Sequence, residues 1–109
     1  MTDTLKVLDQ LAAAATTAET LYTVPATAQT TTSSLVVCNT SGSAATFRVA
    51  IRKAGETLTT KQYIYYDQAL AANSTFASIL GMTLGPTDVV TVYASATGLS
   101  FNLFGVETS

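Results

Sequence analysis

Seven segments with strand-like alternation of apolar and polar residues follow one another from residue 20 onward. Turn-forming clusters separate them at intervals of roughly 10–14 residues, which is typical of a sandwich or barrel. The segments span residues 20–24, 32–39, 45–53, 61–68, 75–84, 89–95 and 99–107. The pattern predicts an all-β fold, a single antiparallel β-sandwich, jelly-roll or immunoglobulin-like, of seven to eight strands.

The segment ATFRVAIRK alternates most clearly. Phe47, Val49 and Ile51 fall on one face of the predicted strand, which we assign to the core. Arg48 and Arg52 fall on the opposite face and form a small basic stripe. This stripe is either a contact for an acidic partner surface or an ordinary solvated face.

The segment KQYIYYDQ carries large side chains on both faces. Strict alternation predicts Tyr63 and Tyr65 on one face, with Ile64 and Tyr66 on the other. A second sheet of the same sandwich or a neighbouring subunit would cover the second face. Tyrosine is enriched at protein interfaces, so Tyr63, Tyr65, Tyr66 and Tyr93 are candidate interface residues.

The first part of the chain allows two interpretations. Its leucines recur at helical spacing, but LKVL also alternates and TTAET is poor helix. We predict an N-terminal arm over residues 1–19, extended and with a short first strand, ahead of a sandwich domain over residues 20–109. Such an arm would bury Leu5, Val7 and Leu8 against its own or a neighbouring subunit, so these residues join the candidate interface.

The chain is unusually poor in charge. Only 11% of its 109 residues are Asp, Glu, Lys or Arg, against about 25% in ordinary globular domains. Serine, threonine and alanine tracts take their place at the surface. Charged residues are depleted at interface cores, so the composition favours a subunit that hides much of its exterior in an assembly.

Several function classes are disfavoured by what the sequence lacks. It contains no histidine and a single cysteine, Cys38, so the commonest general base and the usual zinc ligands are missing. We identify no catalytic, cofactor-binding or metal-ligating residues and expect no enzyme activity. The net charge of −2 disfavours nucleic-acid binding. No apolar run of membrane-spanning length and no secretory leader are visible, so we expect no membrane partner and synthesis in the cytoplasm.

An ordered set of motifs resembles a known family. The motifs LKVLDQ, TLYTVP, SSLVVCNTS, ATFRVAIRKAG, KQYIYYDQALAANSTF, LGMTLGPTDVVTVYAS and LSFNLFGVE, spread over residues 5–107, are similar to small β-sandwich structural proteins of tailed bacteriophages, including phages of cyanobacteria. Residues 9–18 depart from the family pattern because they are richer in alanine. The departure affects the predicted conformation of the arm.

The resemblance implies a structural protein of the virion, made in the host cytoplasm. Its first expectation is a capsid decoration, or cement, protein that binds the outside of the major capsid protein shell as a trimer. A tail or baseplate component is the alternative, and a glycan-binding adhesin module is a third. Each would bury or use the tyrosine-bearing surface differently.

Overall fold

The computed structural model describes residues 2–109 and contains nine strands. They are β1 (Asp3–Ala12), β2 (Glu19–Thr23), β3 (Gln29–Asn39), β4 (Ala45–Arg52), β5 (Tyr63–Leu70), β6 (Thr75–Ser78), β7 (Thr83–Leu84), β8 (Val89–Ala94) and β9 (Leu99–Thr108). Two short 3₁₀ helices, Lys53–Gly55 and Thr60–Gln62, lie between β4 and β5. The prediction of an all-β, antiparallel sandwich is confirmed. Within residues 2–109, no helix is long and apolar enough to cross a membrane.

The strands form two antiparallel sheets with a nested order. Sheet A runs β1-β9-β3-β6, with β7 also paired to β3, and sheet B runs β2-β8-β4-β5. The first four strands therefore pair with later strands in reverse order: β1 with β9, β2 with β8, β3 with β6 and β4 with β5. This is the order of a jelly roll, in which one long folded hairpin supplies both sheets. It decides between the two connection patterns that the sequence allowed.

Nine strands form where seven to eight were predicted, because the segment 75–84 is interrupted. The side chain of Thr32 on β3 hydrogen-bonds to the backbone of the loop that interrupts the segment, where regular strand pairing would otherwise continue. Its Oγ1 donates to the carbonyl of Leu80 at 2.6 Å and accepts from the amide of Met82 at 2.9 Å. The loop leaves Ile79 exposed. The segment therefore gives two short strands, β6 and β7.

The N-terminal strand is longer than the short one that we expected. β1 has ten residues and pairs along β9 from Asp3 opposite Thr108 to Ala12 opposite Ser100. An irregularity between Val7 and Asp9 turns one extra residue inward. The segment LKVL therefore forms a strand, as its alternation predicted, and not the helix that the leucine spacing also allowed.

The core lies between the two sheets and is aromatic at one end. The rings of Phe47 from sheet B and Phe101 from sheet A meet edge to face at 6.0 Å, and Phe76 meets Phe47 at 5.2 Å. The close approach of β9 and β3 requires a glycine at position 105. A Cβ on Gly105 would lie 2.4 Å from the carbonyl oxygen of Thr31, which is far inside van der Waals contact.

A polar network joins the sheets away from this aromatic end. The hydroxyl of Tyr22 on sheet B lies 2.8 Å from Thr30 Oγ1 and donates to the carboxylate of Glu107, both on sheet A. Lys6 Nζ pairs with the same carboxylate at 2.9 Å. Burial and the neighbouring carboxylate raise the pKa of Tyr22 from 10.0 to about 12. The hydrogen bonds from Tyr22 and Lys6 lower the pKa of Glu107.

Candidate interaction surfaces

The tyrosines of β5 do not alternate as the sequence predicted. Two register shifts against β4 interrupt the strand, and Tyr65 lies opposite Val49 while Tyr63 lies opposite Ala50. Because each shift adds a residue on β5, Tyr63 and Tyr66 come to the same outer face of sheet B. Their rings meet edge to face at 4.9 Å. The expectation that Tyr63 and Tyr65 share a face is wrong.

Tyr65 points into the sandwich. Its ring lies 5.2 Å from Phe76 and 6.1 Å from Phe47, and its hydroxyl lies 2.9 Å from Ser78 Oγ. The side chain therefore closes the gap between the β5 edge of sheet B and the β6 edge of sheet A. Of the four candidate tyrosines, it is the one used for packing.

Arg48 organises the remaining tyrosines on the outer face of sheet B. Its guanidinium carbon lies 4.2 Å from the ring centre of Tyr66 and 4.4 Å from that of Tyr93. Cation–π contacts of this kind hold a charged group on aromatic faces. The structure thus brings together Arg48, Tyr63, Tyr66 and Tyr93, which we call the Arg48 cluster.

A carboxylate completes the environment of Arg48. Asp67 Oδ1 accepts from Arg48 Nε at 2.7 Å, and this hydrogen bond raises the pKa of the guanidinium. Asp67 has a φ of 50°, in the left-handed region that Asp tolerates better than most residues. The Arg48 charge is therefore already paired within the chain, rather than being free for an acidic partner.

Arg52 serves the loop between β4 and β5. Its Nε donates to the carbonyl of Glu56 at 2.7 Å and its Nη2 to the carbonyl of Gly55 at 3.0 Å. Asp88 Oδ1 accepts from the amide of Ala54 at 2.8 Å. These bonds hold the loop against sheet B, where its two 3₁₀ helices contact β8 and β4. Much of the outer face of sheet B is thus covered by the chain itself.

The outer face of sheet A differs in chemistry. By register, β1 contributes Leu5 and Val7, opposite Val106 and Phe104 of β9. Leu5 is 78% exposed and Val7 47%, whereas Leu8 is buried in the core. Of the three N-terminal candidate residues, two lie on this face and one does not.

The rest of this face is also uncharged over most of its length. The rows continue with Val36, Asn102 and Gln10, then with Cys38, Ser100 and Ala12. Gln10 Nε2 donates to Asn102 Oδ1 at 2.6 Å. Among the described residues, Asp3 at the end of β1 is the one charged side chain that the register places on this face. We call this surface the outer face of sheet A.

Sequence reasoning missed Phe104 and Val106 as surface residues of interest. The signal was present, because the alternation of LSFNLFGVE turns them away from the core face. Their significance comes from their neighbours Val7 and Leu5, which follow from the β1–β9 pairing. Pairing between the two ends of a chain cannot be inferred from local alternation.

Comparison with known proteins gives a fold likeness. No protein-family model matches the chain, and no curated protein matches it. A chain in the structure of infectious bursal disease virus, Gx strain, superposes with a TM-score of 0.51 at 11% sequence identity. The superposition covers 97% of this chain and 32% of that one, so this chain spans about a third of the length of the viral chain. At this identity, the likeness shows the fold alone.

Proposed function

We propose that this protein is a non-enzymatic structural subunit of a virus particle. Its role is that of a decoration, or cement, protein that binds the outside of the capsid shell and stabilises it. It acts as a homo-oligomer, with a trimer as the form implied by the phage resemblance, and its main partner is the major capsid protein. Its location is the virion.

The outer face of sheet A carries this proposal. Leu5 and Val7 lie exposed beside the half-buried Phe104 and Val106, and adjoining exposed apolar side chains are typical of an interaction site. The face carries no charged residue between the row of Leu5 and the row of Cys38, and two of its polar side chains, Gln10 and Asn102, hydrogen-bond to each other. It is suited to permanent contact with another protein surface.

The fold is a second support. Jelly rolls recur among virus capsid domains, although they also occur in lectins and cupins. The likeness to a chain of infectious bursal disease virus is in keeping with a virion role. Function does not follow from a fold alone, so the uncharged face remains the deciding observation.

The glycan-binding alternative has less support. Sugar recognition by aromatic residues needs free ring faces, and Arg48 lies over the faces of both Tyr66 and Tyr93. Thr60, Tyr63 and Tyr66 line only an open depression. For a tail or baseplate role, we find no specific feature that would favour it over the shell.

Binding to purified virus shells tests the proposal. Recombinant protein is mixed with empty, tail-less shells of the virus that encodes it, and bound protein is located by cryo-EM. We expect density at repeated positions on the outside of the shell and a higher temperature of shell disruption. Density confined to tails of intact particles, or no binding to any particle, would contradict the decoration role.

A further inference from the structure

The outer face of sheet A carries Leu5 and Val7 exposed, with no other part of the chain packed over them. We infer that this face packs against the same face of further copies of this chain, and that this contact builds the homo-oligomer. The inference deepens the proposed function and rests on it for the need to assemble. It identifies both the surface and the partner.

Charge is the first reason for choosing a second copy as the occupant. A face that carries charge of one sign repels its own copy, because like charges are brought together in the contact. From the row of Leu5 to the row of Cys38, the register places no charged residue among residues 2–109 on this face. A face without charge therefore has no electrostatic penalty against its own copy. Asp3 lies at one end of the face, so a contact between two copies would have to leave its carboxylate at the edge of the interface.

Size is the second reason. Strands β1, β9 and β3 have 10, 10 and 11 residues. With neighbouring strands about 4.8 Å apart and a rise of about 3.3 Å per residue, and with the short β6 added, the face covers roughly 550 Å² before side-chain relief is counted. Stable interfaces remove about 800 Å² per partner, with a lower limit near 600 Å². The projected face lies just below that limit, so it reaches the area of a stable contact only when side-chain relief adds to it and nearly all of it is buried.

The shape of the face, with large and small side chains in different rows, is the third reason. Two sheets pack face to face when large side chains of one fit beside small side chains of the other. Val7 and Phe104 are the large members of a row that ends in the small Ser34, whereas Ala12, Ser100 and Cys38 form a row of small side chains. A two-fold stack would set large rows against small ones, and a three-fold arrangement would turn three such faces towards one axis. Both geometries bury the same residues.

A charge placed on this face tests the inference. Val7→Lys would bury an unpaired ammonium group in the contact and should raise the dissociation constant of the oligomer at least about 100-fold. Ile64→Lys is the matched control, because Ile64 is 42% exposed where Val7 is 47% and lies on β5 of sheet B. Sedimentation velocity over a wide concentration range measures both variants, and circular dichroism checks that each is folded.

Cys38 supplies a second measurement that needs no substitution. It lies on the same face, opposite Ser100, and is half-buried in the single chain. Labelling of its thiol by a maleimide should slow at concentrations where the oligomer forms, and should recover on dilution. This readout stays informative even if Val7→Lys fails to fold.

The outcomes separate the inference from the proposed function. An oligomer that survives Val7→Lys but is lost in Ile64→Lys, or one whose Cys38 labels as fast as in dilute protein, would overturn the sheet A contact and leave the decoration role standing. A protein that stays monomeric at high concentration would overturn the inference. The decoration role fails on a separate result, which is the absence of binding to purified shells.

Discussion

The two outer faces of the sandwich differ in the contacts that their large side chains make within the chain. On sheet B, Arg48 lies between Tyr66 and Tyr93 and is paired with Asp67, and the loop after β4 is held against the same sheet. On sheet A, Leu5 and Val7 stay exposed beside Phe104. Sheet B pairs the charge on its outer face within the chain, although Tyr66 stays 57% exposed. Sheet A carries exposed apolar side chains with no such internal pairing, and we propose that this face meets another molecule.

This difference shows that large aromatic residues are a poor guide to an interface when their neighbours are not known. The tyrosines are the more conspicuous group in the sequence, but Tyr65 packs in the core and Tyr66 contacts Arg48, although it stays 57% exposed. The less conspicuous Leu5 and Val7 lie on a face whose one charged residue by register, Asp3, is at its end. The absence of charge around a residue distinguishes the two faces better than the size of its side chain.

The largest effect on folding should come from the tyrosine that the register shift turns inward. Tyr65→Ala removes a ring packed against Phe47 and Phe76 and should lower the free energy of unfolding by about 3 kcal/mol. Tyr65→Phe keeps the ring and should lose only about 1 kcal/mol, from the hydroxyl contact with Ser78. Urea denaturation measures both. Equal losses in the two variants would mean that Tyr65 does not lie in the core.

The network between the sheets should make stability depend on pH. The lowered pKa of Glu107 means that its stabilisation is present above its ordinary value of 4.5 and is lost as the pH falls through the lower, folded value. Glu107→Gln should cost about 1.5 kcal/mol near neutral pH and flatten the acid side of the stability profile. If the stability of this variant fell with acid pH as steeply as that of the original protein, Glu107 would not be a source of the pH dependence.

The alkaline side of the same profile depends on Tyr22. Its pKa is raised from 10.0 to about 12, so the unfolded chain loses this proton at a lower pH than the folded chain does. Stability should therefore fall as the pH rises from 10 to about 12, and Tyr22→Phe should reduce that fall. Chemical unfolding at a series of pH values measures both arms.

A smaller change, in this case a gain in stability, is expected from a substitution at a buried position of sheet B. Thr91 is 6% exposed, and its Oγ1 has no hydrogen-bond partner in the part of the chain that the structure describes. Thr91→Val removes the unpaired hydroxyl at nearly constant volume and should raise stability by about 1 kcal/mol. A thermal melt gives the result. Destabilisation would indicate that the Thr91 hydroxyl has a hydrogen-bond partner, such as a water molecule that reaches this part of sheet B.

The smallest effect should come from the exposed side of the Arg48 cluster. Tyr66→Ala removes an edge-to-face contact with Tyr63 and one of the two rings beside Arg48, and should cost about 0.5 kcal/mol. It should leave the oligomer mass unchanged. A large loss of assembly in this variant would shift the interface from sheet A to sheet B.

The sequence predicted the layers of the fold better than the details that decide the site. Alternation alone placed Phe47 and Val49 in the core, where both are fully buried, because period-two patterning survives wherever a strand is regular. It misplaced Tyr65, because a strand irregularity shifts the period by one residue and leaves no local mark in the sequence. It also could not place Val7 beside Phe104, since those residues meet only through the nested pairing of the two chain ends.

The most direct test compares both outer faces in one sample. Hydroxyl-radical footprinting with mass spectrometry reports the solvent accessibility of Phe104 on sheet A and of Tyr66 on sheet B, in dilute and in concentrated protein. The account predicts that Phe104, with Leu5 and Val7, becomes protected on concentration while Tyr66 reacts at an unchanged rate. Protection of Tyr66 with no change at Phe104 would contradict it.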